Sequence, residues 1–179
     1  MKNLDIKCLS TNFRQAIETA RDNGDFSEDL CFDHFPRGCC GDTCYLLAEY
    51  LRTFDVESIY YSGTRDDWSH AWLIIKDRRV KKPTSREFSW PEELRVTLEG
   101  YGVEHPAQTN VITRYEEADL ESGTIIDITG DQFSDYDIPV YVGLIDDFHR
   151  GFEFDLAHDY EGLNDGLLSR LYRKIAKFL

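Results

Sequence analysis

Basic residues are scarce in this chain, apolar runs are short, and targeting signals are missing. Against 34 Asp and Glu stand only 20 Lys and Arg, a formal net charge of −14 at pH 7. A protein that grips a nucleic-acid backbone needs a basic face. The basic stretches here, residues 78–82 and 170–177, are short solvated faces, so no nucleic-acid partner is expected. No segment approaches the roughly 18 consecutive apolar residues of a membrane span, so no membrane partner is expected either. Met1 to Lys7 has no apolar run behind its lysines, which argues against a signal peptide and makes the cytoplasm the default location. Nucleotide-binding signatures of the Walker or GxGxxG type do not occur, and the Asp-rich residues 131–137 lack the glycine and closing glutamate of a calcium loop.

What is present suits a folded core. The 179 residues are 41% hydrophobic and 13% aromatic, enough for one domain over residues 1–179, and no repeat or low-complexity tract suggests a boundary. Five cysteines are an odd number, and Cys39, Cys40 and Cys44 fall within six residues, so free thiols fit better than a disulfide framework. Apolar spacing predicts a first helix over residues 10–23, capped by Ser10 and stopped by Gly24. A glycine-flanked loop then feeds a buried helix on which positions 44, 47, 48 and 51 share a face. Strands are predicted over residues 56–61, 71–75, 124–128 and 140–145, a helix over 90–100, and an amphipathic closing helix over 165–179. Helices at both ends and a central helix ahead of several strands read as α+β with a mainly antiparallel sheet.

One constellation carries chemistry. A cysteine becomes a nucleophile when its thiolate is stabilised by a helix N-terminus and a nearby imidazolium. Cys40 stands at the start of the central helix, and Ser69-His70-Ala71-Trp72 puts His70 at the mouth of an apolar strand. Ile125-Ile126-Asp127-Ile128 places one carboxylate in an otherwise apolar strand, where an unpaired charge is costly, and His70 is a sensible partner for it. The competing role for Asp127 is capping its own turn, and Asp77 is the rival acid. Cys44 has the spacing of a core residue, Trp68 and Trp72 read as core aromatics, and His149 reads as a solvated, pH-sensitive surface group among acids. Cys31-x-x-His34 with Cys40 and Cys44 lacks the partner spacing of zinc fingers, so no metal and no cofactor are expected.

Gly38-x-Cys40-x-Asp42-x-Cys44 leading into a helix, then His70-Ala71-Trp72, then Asp127-Ile128-Thr129, resemble the cysteine, histidine and aspartate motifs of transglutaminase-like proteins in the papain-like cysteine peptidase superfamily. Residues 35–144 are similar to small, poorly characterised bacterial members of that type. The resemblance implies a papain-like core with the nucleophile at the N-terminus of a central helix packed on the sheet. It implies Cys40 as nucleophile, His70 as general base and then acid, and Asp127 as orienting carboxylate, acting in acyl transfer at a peptide or amide through a thioester. Hydrolysis is expected ahead of cross-linking, because a small chain offers no visible second-substrate site. Transglutaminase-like acyl transfer, or a non-catalytic binding module on the same fold in a bacterial conflict or defence system, are the alternatives. His34, six residues ahead of Cys40, and Gln132, five beyond Asp127, are the candidate second oxyanion donors beside the Cys40 N–H. Two departures stand out. His70 and Asp127 are 57 residues apart, so residues 78–123 read as an insertion forming a lid or specificity wall, and Ile128 stands where the family often has proline. An acidic cleft would favour a basic peptide or protein substrate.

Overall fold

A computed structural model of the chain describes residues 5–89, 109–163 and 166–179. In chain order the elements are α1 (Ile6–Asp22), α2 (Leu30–Asp33), α3 (Cys40–Arg52), β1 (Ser58–Arg65), β2 (Trp68–Ile75), β3 (Thr84–Ser89) and β4 (Thr109–Arg114). They continue as α4 (Glu117–Leu120), β5 (Ile125–Asp127), β6 (Tyr141–Gly143), α5 (Asp147–Arg150), β7 (Glu153–Asp159) and α6 (Gly166–Ile175). Single 3₁₀ turns lie at Gly130–Gln132 and Ala176–Phe178. The strands form a five-stranded sheet in the order β6-β5-β2-β1-β7 with antiparallel neighbours throughout, and β3 with β4 forms a separate antiparallel pair. The architecture is α+β.

Period-two alternation divides the core. Along β2, Ala71 and Leu73 face one way and join Phe13 and Ile17 of α1, Leu46, Leu47 and Leu51 of α3, and Leu171 and Ile175 of α6. Each of these leucine, isoleucine and phenylalanine side chains contributes about 1.5–3 kcal/mol when fully buried. Trp72 and Ile74 face the other way, with Ile59 and Tyr61 of β1, Ile125 of β5, Leu120 and Phe152. His70 has the parity of Trp72, and Asp127 has the parity of Ile125, so the sheet itself delivers both to the face away from α3. Arg14 of α1 ties the segment after β5 to the helices: its guanidinium donates to the carbonyls of Ile128 and Pro139, both at 2.8 Å, and to both carboxylate oxygens of Asp131 at 2.7 Å.

The predicted strands all form, within a few residues of the expected bounds, and the closing helix runs over α6 and the 3₁₀ turn after it. The first helix begins earlier than expected. Asp5 caps it by accepting the Cys8 N–H at 2.9 Å, whereas Ser10 is buried inside the helix and its hydroxyl donates to the Ile6 carbonyl at 2.8 Å. The extra turn carries Ile6 and Leu9, which extend the Phe13 and Ile17 face back toward the cap and pack on the core. Gly24, at φ +76°, ends the helix as expected. The helix expected over 90–100 lies outside the described residues. No helix among the described residues is long and apolar enough to cross a membrane.

Candidate active site

Cys40 is the first residue of α3, so its sulfur lies among helix N–H groups that have no intrahelical acceptor. The preceding Gly38 adopts φ +72°, a left-handed conformation open to glycine, and turns the chain into the helix. β5 ends at Asp127, so among the described residues the edge of β2 beside His70 and Ala71 has no strand partner on that side. Cys40 enters at this gap: its sulfur accepts from the backbone N–H groups of Ala71 and Gly41 and is hydrogen-bonded to the His70 ring.

His70 is 1% exposed. Its Nε2–H donates to Asp127 Oδ2 at 2.8 Å, which fixes the tautomer and leaves Nδ1 to face the thiol. Asp127 is 2% exposed and serves two structures, one through each oxygen. Its Oδ1 accepts from the Thr129 N–H at 2.8 Å and the Thr129 hydroxyl at 3.2 Å, capping its own turn, while Oδ2 holds the imidazole. The two roles that compete in the sequence are therefore both filled. Glycine is required next to this carboxylate, because a Cβ at Gly130 would lie 2.6 Å from Asp127 Oδ2 and 2.8 Å from the Tyr136 ring.

Aromatic rings close the His70 side of the site. Phe133, Phe152 and Phe148 lie 5.0, 5.4 and 6.2 Å from the imidazole, centroid to centroid. The Arg65 guanidinium covers these three phenyl rings at 4.7–5.4 Å and is held in place by Asp135 at 3.0 Å. Tight approach at this corner explains Gly63, opposite His70 in the β1–β2 register, where a Cβ would meet the Glu153 carbonyl at 2.8 Å.

The electrostatics of the three clustered thiols differ. Burial pushes Cys39 up to about 12 and Cys44 well above the ordinary thiol range. Burial acts on Cys40 in the same direction, but the hydrogen bond and charge of His70, with the Ala71 and Gly41 N–H groups, outweigh it and bring the thiol below its ordinary value. For His70, burial disfavours the imidazolium, yet Asp127 overcomes it and holds the ring up to about 9. Burial likewise opposes the Asp127 carboxylate, and the His70 charge and the His149 hydrogen bond nevertheless keep it well below the usual carboxylate range. A lowered thiol beside a raised imidazole is the arrangement of a thiolate–imidazolium pair.

Two hollows adjoin Cys40. One of about 890 Å³ is lined by Arg37, Cys40, Trp68, Gln132, Phe133 and Asp135, among others, and a smaller one of about 260 Å³ runs past Cys40, Ser69 and His70 to Tyr60 and Ser62. Gln132 lies between the loop and the imidazole: its Oε1 accepts the Gly38 N–H at 3.2 Å and its Nε2 is 3.3 Å from His70 Nδ1. Of the two residues expected as oxyanion donors, it is the one that lines the hollow beside Cys40. His34 is exposed at the end of α2, with Nδ1–H donating to the Leu30 carbonyl at 3.0 Å, and it lines neither hollow. Asp77 is held in a surface turn by Arg79 and does not approach His70. Trp72 is a core aromatic as expected, whereas Trp68 is 67% exposed on the wall of the larger hollow. Of residues 78–123, those described include β3, β4 and α4.

One member of the site escaped the sequence reading. His149 is fully buried, where a solvated surface group was expected. Its Nε2 lies 3.2 Å from Asp127 Oδ2, and its Nδ1 lies 2.5 Å from Asp146 Oδ1. Nearby acids suggested exposure because the sequence gives no distance to Asp127, the acid that matters. The ring atoms of His70 and His149 that face Asp127 come within 4.8 Å of its carboxylate and of one another. Each is already satisfied by a hydrogen bond to that carboxylate. Compared with protein families, curated proteins and solved structures, the chain matches none.

Proposed function

We propose that this protein is a thiol-dependent acyl-transfer enzyme acting on a peptide or amide, with hydrolysis as its main outcome, built on a papain-like or transglutaminase-like core. The observation that carries the reading is the continuous hydrogen-bonded series from Cys40 through His70 to Asp127, with the thiol lowered and the imidazole raised. In the resting state His70 Nδ1 holds the proton given up by Cys40. The thiolate attacks the carbonyl carbon of the substrate, and the developing oxyanion is met by the Cys40 N–H at the start of α3 and the side-chain amide of Gln132. The Gln132 N–H can donate to His70 Nδ1 only while that nitrogen is unprotonated. Once His70 carries the proton, the amide loses this acceptor and is free to serve the oxyanion. His70 then passes its proton to the leaving amine, the C–N bond breaks, and a thioester remains on Cys40. Water, deprotonated by the now neutral His70, completes hydrolysis and restores the pair.

The two hollows flank Cys40 and leave room for substrate on both sides of the scissile bond. Asp66 and Asp67, at the β1–β2 turn, line the larger one. With Asp135 they set three carboxylates against Arg37 and Arg65 on that lining, a balance that favours a basic substrate segment over an acidic one.

The rate of iodoacetamide labelling against pH, with the labelled residue found by mass mapping, tests the nucleophile without a substrate. Cys40 is expected to react well below the ordinary thiol range near pH 8.5, and to lose that behaviour in His70→Ala. Labelling of Cys40 no faster than the exposed Cys8 and Cys31 at pH 6 sinks the reading. An activated acyl ester then tests the chemistry. A transient acyl adduct on Cys40 that clears in water supports hydrolysis, and clearance only on adding a primary amine supports the transglutaminase-like alternative.

A further inference from the structure

We infer that His149 is a positioning residue of the active site, aiming the Asp127 carboxylate at His70 from the side opposite the nucleophile. This inference rests on the acyl-transfer reading of Cys40 and deepens it. Asp127 Oδ2 receives two imidazoles, His70 at 2.8 Å and His149 at 3.2 Å, while Oδ1 receives Thr129 twice. All four acceptor directions of the carboxylate are thereby filled, so it has no free rotation about its χ2 bond.

His149 is itself clamped. Both ring nitrogens face carboxylate oxygens, Asp127 on one side and Asp146 on the other. Asp146 caps α5 by accepting the His149 N–H at 3.0 Å and also accepts the Tyr136 hydroxyl at 3.0 Å. The remaining neighbours are rings: Trp72 at 5.0 Å from β2, Phe148 at 5.1 Å from α5, Tyr141 at 5.3 Å from β6, Tyr136 at 5.6 Å and His70 at 6.5 Å. The titratable groups facing His149 are therefore Asp127, Asp146, Tyr136, Tyr141 and His70. A histidine that merely filled space here would not need both nitrogens directed at carboxylates. The series runs Cys40, His70, Asp127, His149, Asp146, and its last two members lie in one turn of chain at residues 146–149.

Three variants of the full chain separate positioning from packing. His149→Phe keeps a ring and removes both nitrogens. His149→Gln keeps an N–H near the Nε2 position. Asp146→Asn keeps the helix cap and loosens the clamp. With folding checked by circular dichroism, the acid limb of Cys40 alkylation is expected to move up by about one pH unit in His149→Phe, a roughly tenfold slower reaction at pH 6. It should return to within about twofold of wild type in His149→Gln and move part of the way in Asp146→Asn, which is informative even if His149→Phe fails to fold. The downfield proton resonance of the His70–Asp127 hydrogen bond should broaden or disappear in His149→Phe only. A folded His149→Phe protein with the wild-type limb and resonance overturns the inference. A limb that moves down overturns it too, since His149 would then act as an opposing charge. If wild-type Cys40 shows only ordinary thiol behaviour, the acyl-transfer reading fails, and the resonance alone decides whether His149 holds Asp127.

Discussion

On the helix-covered face of the sheet, Cys39 and Cys44 are buried among leucines and phenylalanines, and burial drives both thiols toward the neutral form. On the opposite face His70, Asp127 and His149 are equally buried, yet the His70–Asp127 pair stays charged because each group has a partner within hydrogen-bond distance. The same loss of solvent thus has opposite outcomes on the two faces. What decides is the presence of a directed partner, since desolvation alone always favours neutrality. Cys40 belongs to neither face. It packs against the helix-side core, but its sulfur reaches through the gap beyond β5 to the imidazole on the other side. That boundary position gives it a charged partner that Cys39 and Cys44, one and four residues away, do not have.

The largest effect comes from breaking the boundary itself. Cys40→Ser or His70→Ala should lower amidase or esterase turnover by at least about 10³-fold, while Cys40→Ser changes stability by no more than about 1 kcal/mol. Abolition by Cys39→Ser with activity retained in Cys40→Ser would assign the chemistry to the wrong face and end the comparison. Asp127→Asn attacks the charged face next. Turnover should fall by about 10²–10⁴-fold, because the carboxylate selects the His70 tautomer. Its stability should show the linkage. The ordinary imidazole value is about 6.5, and His70 in the fold is raised to about 9. The Asp127–His70 contribution is therefore complete below pH 6.5 and is lost as pH rises through 9. On the acid side, the depressed Asp127 carboxyl contributes above its unfolded value of about 3.9 and loses that contribution as pH falls. Unfolding free energies of wild type and Asp127→Asn from denaturant titration should differ most between pH 5 and 6.5, on the order of 3 kcal/mol, and converge toward pH 9. A gap that widens with rising pH would mean that the pair is not charged.

A smaller effect tests the cleft between the faces. Gln132→Ala removes the amide 3.3 Å from His70 and should lower kcat by about 10²-fold with KM nearly constant, as expected of a donor used only in the transition state. Equal changes in kcat and KM would instead make Gln132 a holder of the Gly38 loop.

How much of this could be read from the residues follows from the range of each signal. Cys40, His70 and Asp127 announce themselves locally: a thiol at a helix start, an imidazole at a strand mouth, and a carboxylate in an apolar strand. Each is odd within its own five residues. His149 is not, because Asp146, Asp147 and Arg150 around it look like any solvated turn, and α5 is too short for periodicity to mark a buried face. β7 differs: residues 152–156 alternate apolar and polar, but it is an edge strand whose register shifts opposite Ser62 and Gly63, so that Leu156 is left exposed and Ala157 is buried. His34 was chosen by counting back from Cys40, and counting ignores that α2 turns its ring onto its own Leu30 carbonyl. Trp68 reads as a core aromatic because it flanks the His70 strand, yet Asp66, Asp67 and Ser69 surround it and it begins its strand beside the hairpin tip, where solvent reaches it. Residues out of place in their own segment could be read directly and even paired, as His70 with Asp127, while a buried residue in an ordinary-looking turn could not.

The helix-side core offers the mildest and most selective test. Cys44 is 5% exposed and lies one helical turn from Cys40, so a hydroxyl placed there would be buried without a designed partner. Cys44→Ser should destabilise by about 1–3 kcal/mol, the cost of burying an unpaired hydroxyl. It should leave the pH profile of Cys40 labelling in place, because burial keeps the Cys44 thiol neutral over the range in which Cys40 titrates. Cys44→Ala, which buries no polar atom, should recover most of that loss. Chemical denaturation and alkylation on the same samples check both halves. If Cys44→Ser instead shifted the Cys40 profile by a full pH unit while stability held, the two faces would share one electrostatic unit. The division drawn at the sheet would then have to move to the far side of α3.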